Sequence, residues 1–80
     1  MTRRILRLPE VKAATGKSRS TIYLDVSQKL FPPAVRLGAR MVGWPEDDIA
    51  ALNAARIRGA SDDEIRALIA QLTAARRRAS

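Results

Sequence analysis

The side chains best equipped for chemistry in this 80-residue chain lie in one short run, Lys17-Ser18-Arg19-Ser20-Thr21-Ile22-Tyr23. Arg19 and Tyr23 are four residues apart, so on a helix they share a face, with Ser20 and Thr21 beside them. An arginine fork matches the O6 and N7 acceptors of guanine, and hydroxyls of this length reach base edges or phosphates. The phenol of Tyr23, one turn on, can donate to a phosphate or pack on a sugar or a thymine methyl. Lys17 and the unpaired N–H groups at a helix start offer a seat for phosphate. This chemistry recognises; it does not make or break bonds. The bland alternative is an ordinary helical pair with a solvated cationic edge.

The rest of the chain offers catalysis little. Cysteine and histidine are absent, which removes Cys/His zinc sites, thiolate nucleophiles and imidazole acid–base steps. The acid triplets Glu46-Asp47-Asp48 and Asp62-Asp63-Glu64 sit where helices begin, and there carboxylates serve the helix dipole rather than a metal. No glycine-rich phosphate loop is present. The sequence therefore predicts no enzyme activity, no cofactor, no metal and no small-molecule substrate. Nor does any apolar run approach the roughly 18 residues that cross a bilayer, so a cytoplasmic protein with no membrane partner is expected.

The elements that must position the run can be read from its flanks. A first helix is expected from Pro9 to Thr15, with Val11 and Ala14 inward and Gly16 ending it. Ser18 caps a second helix reaching Lys29, buried along Ile22 and Val26 and stopped by Phe31-Pro32-Pro33. Two β-prone pieces, Ala34–Leu37 and Met41–Trp44, flank Gly38-Ala39-Arg40 as a hairpin. In it Val35 and Leu37 face the core, Arg36 faces out and Arg40 sits at the tip. Trp44-Pro45 opens a third helix, apolar along Ile49 and Leu52 as far as Ile57 and closed by Gly59. Phe31 and Trp44 are expected in the core rather than as a stacking platform for single strands.

Ser61 and Glu64 have capping-box spacing for a fourth helix. Its edge Ile65, Leu68, Ile69 and Leu72 must be covered, either by its own domain or by a second copy, and self-association is the expectation. The Arg76-Arg77-Arg78 tail is expected to stay solvated or to make nonspecific contacts. The predicted fold is mainly α with a small β-hairpin, a winged helix-turn-helix plus an extra C-terminal helix. It divides at Gly59-Ala60 into a winged unit (1–59) and an amphipathic helix with a basic tail (60–80).

Charge names the partner class. Residues 1–44 carry nine cations against Glu10 and Asp25, while residues 45–80 carry six charges of each sign. All the excess of +7 lies in the half that holds the polar helix. Such asymmetry is the footprint of a polyanion partner, here double-stranded DNA. Arg36 and Arg40 would add a wing contact to backbone or minor groove.

The stretches RLPEVKAATGKSRSTIYLDV, FPPAVRLGAR and VGWPEDDIAAL, in order at matching distances, resemble the AlpA-like family. These are small phage and mobile-element regulators and excisionases related to the MerR-type winged helices. The resemblance covers about residues 5–57. It implies a sequence-specific duplex binder that regulates promoters or acts as a recombination directionality factor, bending attachment-site DNA beside an integrase. It places Ser18, Arg19, Thr21 and Tyr23 on the recognition helix and Arg36 and Arg40 on the wing. Two positions depart from the family pattern. Leu24 stands where a basic residue often follows the tyrosine, and Lys29 stands where glycine is frequent near the helix end. A second reading, from the residues alone, is an adaptor whose basic half docks on an integrase or polymerase.

Overall fold

The computed structural model describes residues 4–79, with side chains as far as Arg77. Arg3 and the side chain of Arg78, both counted among the cations above, lie outside the described residues. The order is β1 (Ile5–Leu6), α1 (Leu8–Thr15), α2 (Arg19–Ser27), β2 (Val35–Arg36), β3 (Val42–Pro45), α3 (Glu46–Arg58) and α4 (Asp62–Ala79). The architecture is a winged helix-turn-helix with an additional C-terminal helix.

Local chemistry sets both ends of the helical pair. The backbone N–H of Arg7 donates to the Glu10 carboxylate at 3.0 Å, tying down the start of α1. Val11 is wholly buried. Ala14, expected inside, is exposed, and its carbonyl accepts from the Asn53 amide of α3 at 3.0 Å. Gly16 takes φ 70° and donates its N–H to the Lys12 carbonyl, so α1 stops there. Ser18 then caps α2 by accepting from the Thr21 N–H at 3.2 Å.

The far end of α2 is less comfortable. It closes two residues before the expected Lys29. Lys29 N–H donates to Val26 O (3.1 Å) and Leu30 N–H to Asp25 O (2.8 Å), a Schellman closure. That geometry forces Lys29 to φ 62°, a left-handed conformation that costs an L-residue about 1–2 kcal/mol.

The sheet has one strand more than the sequence suggested. β1 pairs antiparallel with β3 (Ile5 opposite Pro45, Leu6 opposite Trp44), and β2 flanks β3 on the other side, giving the order β1-β3-β2. The hairpin ladder is correspondingly short. It joins Val35 to Gly43 and Arg36 to Val42, and residues 37–41 form the tip. Leu37 is 40% exposed instead of facing the core, because the ladder ends before it. Pro45 finishes β3, so the third helix begins at Glu46 and not at Trp44; Glu46 N–H continues the pairing to the Arg4 carbonyl at 2.9 Å.

Gly43 is what allows three strands to close here. A β-carbon at this position would lie 3.0 Å from both the Leu6 carbonyl oxygen and Leu37 Cδ1 and would press on the Ile5 side chain. The core beneath is built around Trp44, with Val11, Ile22, Phe31, Ile49, Leu52 and Ile65 buried against it. The Trp44 indole N–H donates to the Pro32 carbonyl at 2.9 Å, satisfying the one polar atom that its burial would otherwise orphan. Beyond Leu52 the inward edge of α3 runs through Ala55, while Ile57 is 87% exposed.

Gly59 at φ 82° ends α3. Ser61 and Glu64 cap α4 reciprocally: Ser61 N–H donates to the carboxylate at 2.9 Å and Glu64 N–H to the hydroxyl at 3.2 Å. The N–H and hydroxyl of Ser61 hold the Glu64 carboxyl below its ordinary pKa. This contribution is present above the usual carboxylate range and fades as pH falls through the lowered value.

α4 corrects two expectations. Ile65 and Ile69 are buried in the common core and the half-buried Leu68 and Leu72 pack on it, so this edge is covered by its own chain. Arg76, expected in solvent, is also drawn in. Its Nε and one terminal nitrogen lie 2.9 and 2.8 Å from Oδ2 of Asp48, which is 2% exposed. Removing the cation would leave a buried carboxylate short of its partner.

Three variants test these packings in urea melts. Gly43→Ala should lower stability by about 1–3 kcal/mol through overpacking. Arg76→Ala should lower it by about 3 kcal/mol. Lys29→Gly should raise it by about 0.5–1 kcal/mol, the relief of the left-handed strain less the entropy of glycine.

Candidate nucleic-acid interface

α2 turns Ile22 fully inward, and its periodicity then sends Arg19, Ser20, Tyr23 and Leu24 outward. The Arg19 guanidinium carbon lies 5.7 Å from the centre of the Tyr23 ring, so the two lie within cation–π distance on the exposed face. Tyr23 is 41% exposed; its ring centre is 6.4 Å from that of Trp44, at a tilt of 60°. The phenol is therefore seated on the core and open at its rim. Leu24 is 55% exposed, an apolar patch beside it, and the Ser27 hydroxyl folds back on the Leu24 carbonyl at 2.6 Å.

Ser18 and Thr21 are occupied. The Ser18 hydroxyl accepts from Thr21 N–H and donates to Thr21 Oγ1 at 3.0 Å, so both serve the helix start. Lys17 departs further from expectation. Its ammonium forms an ion pair with the buried carboxylate of Asp25 and lies 6.0 Å from the Phe31 ring centre. Turned inward, it holds the turn onto α2 instead of waiting in solvent for a phosphate.

Arg36 and Arg40 are exposed on the hairpin, Arg36 making one long contact to the Gly38 carbonyl at 3.5 Å. Other cations of the first half are engaged locally. Arg4 reaches Glu46 at 3.2 Å and Glu10 at 3.7 Å, and Arg7 Nε donates to the Val42 carbonyl at 3.0 Å. Lys12, Arg19, Lys29, Arg36 and Arg40 make no ion pair among the described residues. The structure thus separates cations that brace the fold from cations without an ion pair among the described residues.

Sequence reasoning passed over Asp25, which lies eight residues from Lys17 across a turn and two helical turns. No local spacing reveals such a pair. Arg56 was missed as well. It lines, with Thr15, Lys17, Thr21, Asp25 and Asn53, a polar cleft of about 420 Å³ under the start of α2. No three acidic groups among the described residues gather to hold a metal, and no described helix is long and apolar enough to cross a membrane.

Comparison with known proteins follows the same boundaries. The family model of the prophage CP4-57 regulatory protein (AlpA) matches residues 4–55, from the edge of β1 into α3. The uncharacterized protein ORF88 of Enterobacteria phage P4 is 46% identical over 56 residues, 70% of this chain and 64% of that protein. The chain thus covers less than two thirds of the phage protein's length. The DNA-binding transcriptional activator AlpA of Escherichia coli is 44% identical over 52 residues, 58% of this chain and 74% of that protein. No solved structure gives a significant match. With the family pattern spanning both helices, the hairpin and most of α3, the chain belongs to the AlpA family of phage regulatory proteins.

Proposed function

We propose that this chain is a non-enzymatic, sequence-specific binder of double-stranded DNA that regulates a mobile element. It lays α2 in the major groove and the β2–β3 hairpin alongside. The observation that carries this reading is the paired exposure of Arg19 and Tyr23 on one face of a helix seated on Trp44. The relative from Escherichia coli, named as a DNA-binding transcriptional activator, supports the same assignment.

In this reading Arg19 reads a guanine through two hydrogen bonds, and Ser20 reaches a neighbouring base or phosphate. Tyr23, held by Trp44, donates to backbone at a fixed height. Leu24 replaces a cation with an apolar surface suited to a thymine methyl. Arg36 and Arg40 contact backbone or minor groove from the wing. Ser18 and Thr21 act through the helix start, presenting backbone N–H groups to phosphate. A single small module binds modestly, so copies on neighbouring sites would act together. Because the α4 edge is covered within its own chain, that cooperation would run through the DNA or another surface. Excision beside an integrase and regulation of a promoter are both served by this geometry. Footprinting separates them: clustered sites at an attachment sequence mean excision, and a promoter site means regulation.

The decisive measurement is fluorescence anisotropy on a selected duplex. Arg19→Ala should cost about 1–3 kcal/mol and blur preference at one base pair. With about four to six phosphates neutralised, log K should fall against log salt with a slope of about −4 to −5. If Arg19→Ala left duplex affinity intact while an integrase or polymerase contact was lost, the adaptor reading would replace this one.

A further inference from the structure

A second surface lies at the other end of α2. There the C-terminal turn of α2, the Phe31–Pro33 segment and α4 enclose an open groove of about 470 Å³. Its floor is apolar, made by Val26, Phe31 and Ile69, and its α4 wall is low because positions 70 and 74 are alanines one turn apart. Its rim is cationic: Lys29, Arg66 and Arg77 border it, and no carboxylate lines it among the described residues.

The rim charges are placed by the backbone. Lys29 is thrown outward by its left-handed turn at φ 62° and makes no ion pair among the described residues. Arg66, also on the lining, is held by its Nε donating to the Gln28 carbonyl at 3.1 Å, with only a long contact of 3.6 Å to Asp63. The groove also needs α4, which lies beyond the 4–55 region shared with the family.

We infer that this groove docks a short acidic segment of a partner protein, one that inserts one or two large apolar side chains between α2 and α4 while its carboxylates meet Lys29 and Arg66. Charge complementarity names the occupant's sign. The apolar floor distinguishes a peptide from a phosphate backbone, which has nothing to bury there. The low alanine wall lets a helical or extended backbone come close. Because Arg19 and Ser20 open α2 and Lys29 lies beyond its far end, DNA and the segment need not compete. The inference does not rest on the DNA-binding reading; an acidic segment could dock on a chain that never meets DNA.

Random dodecapeptides displayed against the full chain, with the Ala74→Glu protein as counter-selection, test this. Ala74 is exposed, so the new carboxylate blocks and recharges the groove without entering the core. Expected are enriched peptides of net negative charge with one or two Leu, Ile, Phe or Trp residues. They should bind the parent at least tenfold more tightly than Ala74→Glu or Lys29→Glu. They should also change Trp44 emission, since the Phe31 ring on the groove floor stands edge-on to Trp44 at 6.2 Å. Both variants should keep the parent's melting temperature within a few degrees, and Ala74→Glu its duplex affinity within twofold. Failure to enrich acidic, apolar sequences overturns the inference, as does equal binding to the variants. Loss of duplex affinity in Ala74→Glu, without peptide enrichment, would assign the groove to the DNA backbone and overturn it too.

Discussion

The wholly buried indole of Trp44 is the point at which the separate parts of the molecule are held to one another. It stands on the central strand β3, bonds the Pro32 carbonyl, meets Phe31 edge-on and supports the ring of Tyr23 from beneath. The hairpin, the segment leaving α2 and the exposed face of α2 therefore share one rigid neighbour. A recognition surface needs its donors at fixed heights, because hydrogen bonds weaken steeply with distance and angle. Here the height of the phenol is set by core packing and not by its own flexible reach. Arg19 lies over the same ring at cation–π distance. Gly43, directly before the indole, permits β1 to close over β3 and completes the sheet.

Electrostatics divides along the same lines. The excess positive charge of the first half looked uniform in the sequence, yet the fold uses it in two ways. Arg4, Arg7 and Lys17 brace junctions: β1 to α3, α1 to the hairpin, and the helix turn to α2. A surface ion pair such as Arg4 with Glu46 contributes little to stability. The pair between Lys17 and the buried Asp25 is different, because loss of either partner strands the other in a poorly solvated place. The first-half cations without an ion pair among the described residues lie on α1, at the outer face of α2, on the hairpin and past the end of α2. Net charge alone therefore overstated how many cations are available to a polyanion.

How much was legible in the chain depended on whether the interaction was local. Ser18, Ser61 and Glu64 act within four residues of themselves, and Gly16 and Gly59 end their helices where the pattern stops; all could be read directly. The four-residue spacing of Arg19 and Tyr23 placed them on one face for the same reason. The outcome at β1 was different, since two residues, Ile5 and Leu6, are too short for any periodicity and become a strand only because β3 offers an edge. Leu37 was misread because alternation predicted a longer ladder than the turn allows. The partners Lys17 and Asp25, and Asp48 and Arg76, join residues that only the fold brings together. The resemblance to the family carried one hint the pattern of residues did not: a frequent glycine near the position of Lys29, where the backbone does adopt φ 62°.

The retention of that strained lysine has a physical consequence for the far side of the domain. Glycine there would relieve the turn, yet it would remove one of the cations that border the groove between α2 and α4. The groove itself exists because α4 folds back, and α4 folds back by two devices. Ile65 and Ile69 bury one face in the common core, while Arg76 reaches Asp48 in the first turn of α3. The short link at 59–61 and the Ser61–Glu64 cap fix the start of α4, while Arg76 fixes a point near its other end. Arg76 therefore ties the far part of α4 to the start of α3, and the same stretch of α4 carries Ala70, Ala74 and Arg77 along the edge of the groove. Basic residues at the end of a helix usually signify a solvated tail. In this chain the first of them is a structural pin, and the surface beside it takes its shape from that pin.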